Sequence, residues 1–194
     1  GIEQVRKAPL PDLLYPRKPK VPLVELFKQN LEAVGAHCVI AKDESGIGHA
    51  LTQIISTLQQ TPLRAQRIAI SDAPDVERLM YLTDLEIEEL AVTPSASDIF
   101  GFDAGISTTQ AAIAETGTLV LDSTCEKHRL VSLVPPVHIA IVNASIICET
   151  LGEALTLLRK GKEISPAVTF ITGPSRTADI ELTLTVGVHG PQEL

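Results

Sequence analysis

Hydrophobic and polar positions along the chain alternate between a helical and an extended period, and the alternation predicts most of the secondary structure. Leu23, Leu26, Phe27, Leu31 and Val34 fall on one helical stripe that Gly35 ends, and Cys38-Val39-Ile40-Ala41 is expected as a buried strand. A second helix presents Ile47, Leu51, Ile54, Ile55 and Leu58, with Ser45 as its expected cap. Arg67 to Ser71 reads as a strand, the region around Val76 to Leu82 as a short helix, and Leu90 to Thr93 as a further strand. This β–α rhythm predicts an α/β fold, a mainly parallel sheet flanked by helices.

The middle of the chain departs from that rhythm. Ala111 to Ala114 and Thr118 to Leu121 are short strand candidates separated by Glu115-Thr116-Gly117, so a β-hairpin insertion is expected, its glycine supplying a positive φ. Val137 to Val142 reads as a buried strand, Ile146 to Lys160 as an amphipathic helix, and Ala167 to Ile171 as a strand. The strict alternation of Ile180, Leu182, Leu184 and Val186 with polar residues predicts a half-buried last strand. Ahead of all this, residues 1–22 carry five prolines among five basic residues, which predicts an extended arm before one domain over residues 23–194. The arm is either a solvated or surface-hugging terminus or a segment that clasps a partner subunit.

Composition narrows the function classes. With 194 residues, 44% of them hydrophobic, the chain can bury a sizeable core. Its formal charge of -8 repels a phosphate backbone, and 3% aromatics leave few stacking platforms, so a nucleic-acid partner is not expected. Cys38, Cys125 and Cys148 lie far apart with no C-x-x-C pair, giving no disulfide framework and no metal or iron–sulfur ligand set; a reducing, cytoplasmic setting is expected. Lys127, His128 and Arg129 would lower the pKa of Cys125, yet a small structural thiol is the favoured reading there. The uncharged run from Leu130 to Cys148 is broken by Pro135-Pro136, so no membrane span is expected. No Gly-x-Gly-x-x-Gly follows a strand and no Gly-x-Ser-x-Gly is present.

Two segments mix small hydroxyl and glycine residues with charge beside strand formers, a pattern that offers backbone amides and charged side chains to a ligand. In Thr172-Gly173-Pro174-Ser175-Arg176-Thr177-Ala178-Asp179, a strand leads into what reads as a strand-to-helix turn, where bare amides and the fork of Arg176 suit a carboxylate or phosphate. The alternative is a capped turn in which Arg176 pairs with Asp179 or Glu181. In the other segment, Gly105-Ile106-Ser107-Thr108-Thr109-Gln110 through Leu121, Glu115 with Thr116, Gly117 and Thr118 is a carboxylate in an uncharged neighbourhood, suited to act as a base or nucleophile if desolvated, or else an exposed turn residue. His189, between Val188 and Gly190-Pro191, is either structural or ligand-facing; His37, His49, His128 and His138 have no metal-ligand spacing and read as surface or satisfied core histidines.

The runs Ala-Ile-Ala-Glu-Thr-Gly-Thr-Leu-Val-Leu at 112–121, Leu-Val-Pro-Pro-Val-His-Ile-Ala at 133–140, Thr-Gly-Pro-Ser-Arg-Thr-Ala-Asp-Ile-Glu at 172–181 and Gly-Val-His-Gly-Pro at 187–191 resemble the lactate utilization protein C family, the LUD domain, over about residues 23–194. The resemblance implies a fold of the kind shared by ribose 5-phosphate isomerase, glucosamine phosphate deaminase and coenzyme A transferases. It also implies a non-redox role in oxidation of L-lactate to pyruvate, beside partner proteins that carry the iron–sulfur clusters, with no cofactor in this chain. Glu115-x-Gly117 is similar to the glutamate and glycine of coenzyme A transferases, an analogy of fold alone. On this reading Arg176, steadied by Asp179, holds a small anionic ligand and Glu115 orients or deprotonates it. The competing readings are a free-standing acyl-transfer or phosphosugar-type enzyme using Glu115, and a scaffold whose motifs only lock turns.

Overall fold

Two adjacent strands pass from one sheet into another and tie the molecule together. The computed structural model describes residues 21–125, 129–160, 165–177, 185–186 and 190–194. The elements are α1 (Leu23–Ala33), α2 (Glu44–Gln59), β1 (Arg67–Ile70), α3 (Pro74–Met80), β2 (Glu89–Val92), β3 (Ala104–Thr108), β4 (Ala111–Ile113), β5 (Thr118–Asp122), α4 (Leu130–Leu133), β6 (Val137–Ile141), β7 (Ile147–Cys148), α5 (Leu151–Arg159), β8 (Val168–Ile171), β9 (Arg176–Thr177) and β10 (Thr185–Val186). Strands β2-β1-β3-β6 form a four-stranded sheet, parallel throughout, and β7-β4-β5-β8 form a second, mixed sheet. β3 runs on into β4 and β6 into β7, and the two continuations pair in parallel again, Ala112 with Ile147 and Ile113 with Cys148.

Each sheet is covered on both faces. Ile68, Ile70, Ala104 and Ile106 of the parallel sheet pack with Leu51, Ile55 and Leu58 of α2 and Val76 and Leu79 of α3. Ala69 on the opposite face packs with Ile99, Phe102 and Val131. In the mixed sheet Ala112, Ala114, Leu119 and Leu121 meet Phe27 and Leu31 of α1, while Ala111, Ile113 and Val120 meet Ala154 of α5. The alternation of strand side chains thus assigns each helix its own face. Fully burying one of the larger apolar side chains contributes about 1.5–3 kcal/mol, so these four clusters carry most of the stabilisation.

Several expectations are corrected. Residues 38–41 form no strand, and Val39 and Ile40 are exposed; the neighbouring His37 N–H instead donates to the Leu194 carbonyl at 2.8 Å, a single tether rather than a ladder. Asp43, not Ser45, caps α2, its Oδ1 accepting from Gly46 N–H at 2.8 Å. The expected helix over 146–160 is divided: Ile147 and Cys148 join β4, and α5 begins only after Thr150, whose hydroxyl accepts from Glu153 N–H. No helix among the described residues is long and apolar enough to cross a membrane.

A polar pair sits inside the parallel sheet. His138 is 1% exposed, and its Nε2 lies 2.9 Å from the Ser107 hydroxyl on the neighbouring strand. The register places His138 beside Gly105, whose missing side chain leaves room: a Cβ there would stand 1.8 Å from the Val131 carbonyl oxygen. Burial lowers the pKa of His138 to about 4, so the ring is neutral near pH 7.

Gly105→Ala is expected to cost about 3 kcal/mol or more in urea denaturation, since the methyl must displace backbone. Gly152→Ala, where the nearest atom would be 3.9 Å away, is expected to be neutral or to stabilise by up to about 1 kcal/mol. Below the ordinary histidine pKa of 6.5 the unfolded chain takes up the proton that folded His138 refuses. Stability therefore falls as pH drops from 6.5 to about 4, by roughly 3 kcal/mol from this group at about 1.4 kcal/mol per unit. His138→Gln removes that part of the slope; an unchanged slope in the variant would contradict the assignment.

Candidate functional site

The hairpin forms where expected. β4 and β5 pair antiparallel with Ile113 opposite Thr118, leaving Ala114-Glu115-Thr116-Gly117 as the connection, and Gly117 has φ +64°. Gly173 in the second segment has φ +72°. The fold brings the two segments together through β5 and β8, whose register runs from Leu119 opposite Ile171 to Asp122 opposite Val168. At the end of that pair three hydroxyls make a ladder: Thr116 and Thr118 are 2.7 Å apart, as are Thr118 and Thr172.

Helix α1 lies against both turns. A Cβ on Gly117 would stand 2.3 Å from the Leu31 nitrogen, and one on Gly173 would stand 2.8 Å from the Val34 carbonyl oxygen. Both glycines thus supply a left-handed backbone and a close helix approach at once. Asn30 donates its side-chain amide to the Ala114 carbonyl at 2.7 Å, and Arg176 Nη2 donates to the Val34 carbonyl at 2.6 Å. That last contact places a cation on the unpaired carbonyls at the helix carboxyl end, where the macrodipole favours positive charge.

Glu115 is exposed, and Oε1 accepts from Leu151 N–H at 3.3 Å, at the amino end of α5. Its own N–H donates to the Glu149 carbonyl, continuing the β4–β7 pairing by one residue. An open groove of about 570 Å³ runs along α5, lined by Glu149, Glu153 and Lys160 among others.

The second segment differs from expectation in its local form. Arg176 and Thr177 are not the start of a helix; they pair antiparallel with Val186 and Thr185 as β9 and β10. Ser175 N–H donates to the Pro191 carbonyl at 2.8 Å, which holds the turn to the chain end. Gly173 is buried, Pro174 and Ser175 are half-buried and Arg176 is exposed. Asp179 and His189 lie outside the described residues, as do the Glu181 and Ile180 to Leu184 positions and the residues 126–128 beside Cys125. Gly117, Gly173 and Arg176 therefore lie against α1, Thr116 and Thr118 join Thr172 in the hydroxyl ladder, and Glu115 sits at the amino end of α5, with Ser175 held to Pro191.

Cys38 and Cys148 are free thiols, and burial raises the pKa of both, which disfavours the reactive thiolate. Among the described residues no three His, Cys, Asp or Glu side chains converge as a metal set. Of the hydroxyls buried near the ends of β1 and β3, Ser107 and Thr109 belong to the glycine- and hydroxyl-rich segment from Gly105 to Leu121, whereas Ser71 was not signalled by any motif. The usable signal for Ser71 was positional: it ends the apolar strand pattern Ile68-Ala69-Ile70.

Comparison with known proteins gives this geometry a family. The chain is 34% identical over 152 residues to a protein of Neisseria meningitidis serogroup B named only as uncharacterized, covering 78% of this chain and 62% of that one. It is 42% identical over 93 residues to the lactate utilization protein C of Bacillus subtilis, and 44% identical over 93 residues to lactate utilization protein C 1 of Bacillus mycoides. These matches cover 46% of this chain and 39% and 40% of the relatives, so the chain spans less than two thirds of the length of the curated relatives it matches. A crystal structure of a DUF162 family protein from Deinococcus radiodurans superposes with a TM-score of 0.60 at 20% identity, over 90% of this chain and 96% of that one, and shares the fold. The LUD domain model matches residues 24–194, and the chain belongs to the LUD domain family.

Proposed function

We propose that this protein serves lactate utilization as a component without a redox centre of its own, binding a small anionic ligand where the Glu115 hairpin meets the Gly173–Arg176 turn. Family membership and relatives named for lactate utilization support the role. The observation that carries the site is the threonine ladder Thr116–Thr118–Thr172, which joins two chemically unusual segments that lie 54 residues apart at the Thr118–Thr172 contact.

In this reading Arg176 spends one of its five N–H donors on the Val34 carbonyl and offers others to a carboxylate. Thr116 and Ser175 supply hydroxyls, and Glu115 orients the bound molecule through its own hydroxyl or ammonium donors. Oxidation of lactate removes two electrons and two protons, and the acceptor is assigned to iron–sulfur partner proteins rather than to this chain. A scaffold reading is favoured by two specific contacts, since Glu115 already accepts from Leu151 and Arg176 already holds the end of α1. An acyl-transfer role for Glu115 has only the Glu-x-Gly spacing behind it.

The purified chain is expected not to reduce an artificial electron acceptor with L-lactate; turnover by the chain alone would overturn the non-redox assignment. Arg176→Ala is expected to abolish stabilisation of the protein by added carboxylates in a thermal-shift assay, while lowering the unliganded melting point by no more than about 5 °C, as for loss of one exposed hydrogen bond. Glu115→Gln should fold and fail to support growth on L-lactate in a deletion background. Normal growth, with carboxylate stabilisation intact in Arg176→Ala, would favour the scaffold.

A further inference from the structure

The parallel sheet ends in β6 on one side and β2 on the other, and the chain treats the two edges differently. At β6 the chain end closes the ladder: Val137 bridges Glu193, His138 N–H donates to the Glu193 carbonyl at 3.0 Å, and Gln192 N–H donates to the Pro136 carbonyl at 2.7 Å. At β2 no such cover is present among the described residues. Thr93 N–H donates to the Ile70 carbonyl and Glu89 N–H to the Gln66 carbonyl, so Glu89, Ala91 and Thr93 turn their backbone groups toward β1. Alternation then turns those of Leu90 and Val92 outward, where they have no hydrogen-bond partner among the described residues.

An open strand is a template for another, and sheet edges are ordinarily defended by lysine or proline, by a bulge or by an inward charge. β2 is Glu89-Leu90-Ala91-Val92, which contains neither lysine nor proline, and it pairs with β1 position by position without a bulge. Its one charge is engaged within the chain: Glu89 accepts from Arg67, whose guanidinium also donates to the Gly101 carbonyl. Leu90 and Val92, in register with Ile68 and Ile70, are 43% and 46% exposed, and Phe100, next to Gly101, is 77% exposed. An edge that is apolar in its side chains and open in its backbone fits an added strand.

We propose that β2 is the interface of a homodimer, the β2 strands of two copies pairing antiparallel about a two-fold axis at Ala91 and joining two four-stranded sheets into a continuous one. Self-complementarity selects a second copy as the occupant. With Ala91 on the axis, Leu90 of each copy lies opposite Val92 of the other, and both residues carry outward groups, so each such pair is of the kind that exchanges N–H and C=O. The same register sets Glu89 opposite the Thr93 hydroxyl and not opposite another carboxylate. Moving the axis to Leu90 would lay the Glu88 carboxylate against Val92, which the apolar seam disfavours. Thr93, with φ +47°, and Pro94 after it stop the ladder, which keeps it short. Assembly through this sheet closes at the dimer, since the β6 edge is already taken. A short seam between chains that each carry a formal charge of -8 makes the association weak and dependent on salt.

The test is sedimentation velocity of the full chain over about 1–300 μM, the range a small interface calls for. A monomer–dimer equilibrium is expected, and raising the salt from about 50 to about 500 mM should tighten it by screening like charges; association that weakens with salt would point to a charged interface elsewhere and count against this one. Leu90→Glu and Val92→Lys, both at exposed positions, should each fold and associate at least about tenfold more weakly, because each sets a lone charge into the seam. Mixed in equal amounts the two variants should recover dimer, since only this register sets the new carboxylate opposite the new ammonium. Amide exchange of the unaltered chain decides if either variant fails to fold: the Leu90 and Val92 amides should gain protection as concentration rises, while the Ala91 amide, turned toward β1 in either state, should not change. A chain that stays monomeric throughout, a dimer undisturbed by the variants, a mixture that recovers nothing, or Leu90 and Val92 amides that exchange at one rate at every concentration would overturn the proposal.

Discussion

The parallel pairing of β3 with β6 is the contact on which the rest of the molecule depends. Five residues on each strand are in register, from Ala104 with Val137 to Thr108 with Ile141, and both strands then run on to begin the second sheet. The two sheets are therefore not separate units joined by a linker; shifting the register of one strand would turn every side chain on it to the wrong face of both. Gly105 is central to that pairing. Its bare backbone admits the Val131 carbonyl from above and leaves His138 room to lean toward Ser107, so one missing methyl group serves the covering helix and the buried polar pair together.

Much of this fold was legible in the pattern of residues, for a physical reason. Where an element buries one face against a single layer, its period shows: the stripe of α1, the face of α2, and β1 with its run of Ile68, Ala69 and Ile70 all formed where the spacing placed them. Failures came where local pattern and long-range pairing disagreed. Cys38 to Ala41 is as apolar as a strand, yet it joins neither the β2-β1-β3-β6 sheet nor the β7-β4-β5-β8 sheet. Ile146 to Lys160 has a continuous helical face, but Ile147 and Cys148 gain backbone partners on β4 that a helix would forgo. Arg176 stands two residues past a glycine-proline turn and looks like a helix start, while β10, ten residues further on, supplies the pairing that makes it a strand.

The two turns were legible in their local backbone and not in their surroundings. Glycine at 117 was expected to supply a positive φ and does; Gly173, read only as part of an amide-bearing turn, has one as well. That each glycine also receives the backbone of α1 depends on residues some 85 and 140 positions away, which spacing along the chain does not reveal. The same holds for the partners of the two charged residues. Glu115 meets the first amide of α5, and Arg176 meets the last turn of α1, so both charges that suggested chemistry also compensate helix ends.

That double use ties the two charges to the architecture. Were the Arg176–Val34 bond given up, α1 would still be held by Asn30 on Ala114 and by Phe27 and Leu31 in the core beneath it. The helix has enough apolar burial to stay in place when one polar contact is exchanged, because a net hydrogen bond contributes about 1 kcal/mol whereas each buried large side chain contributes about twice that or more. Exchange at the guanidinium is therefore compatible with a fixed fold. The parallel sheet works under the opposite constraint: Ser71 Oγ, Thr109 Oγ1 and His138 Nδ1 have no hydrogen-bond partner among the described residues, and the cost of burying them so is carried by the two sheets that β3 and β6 hold in register.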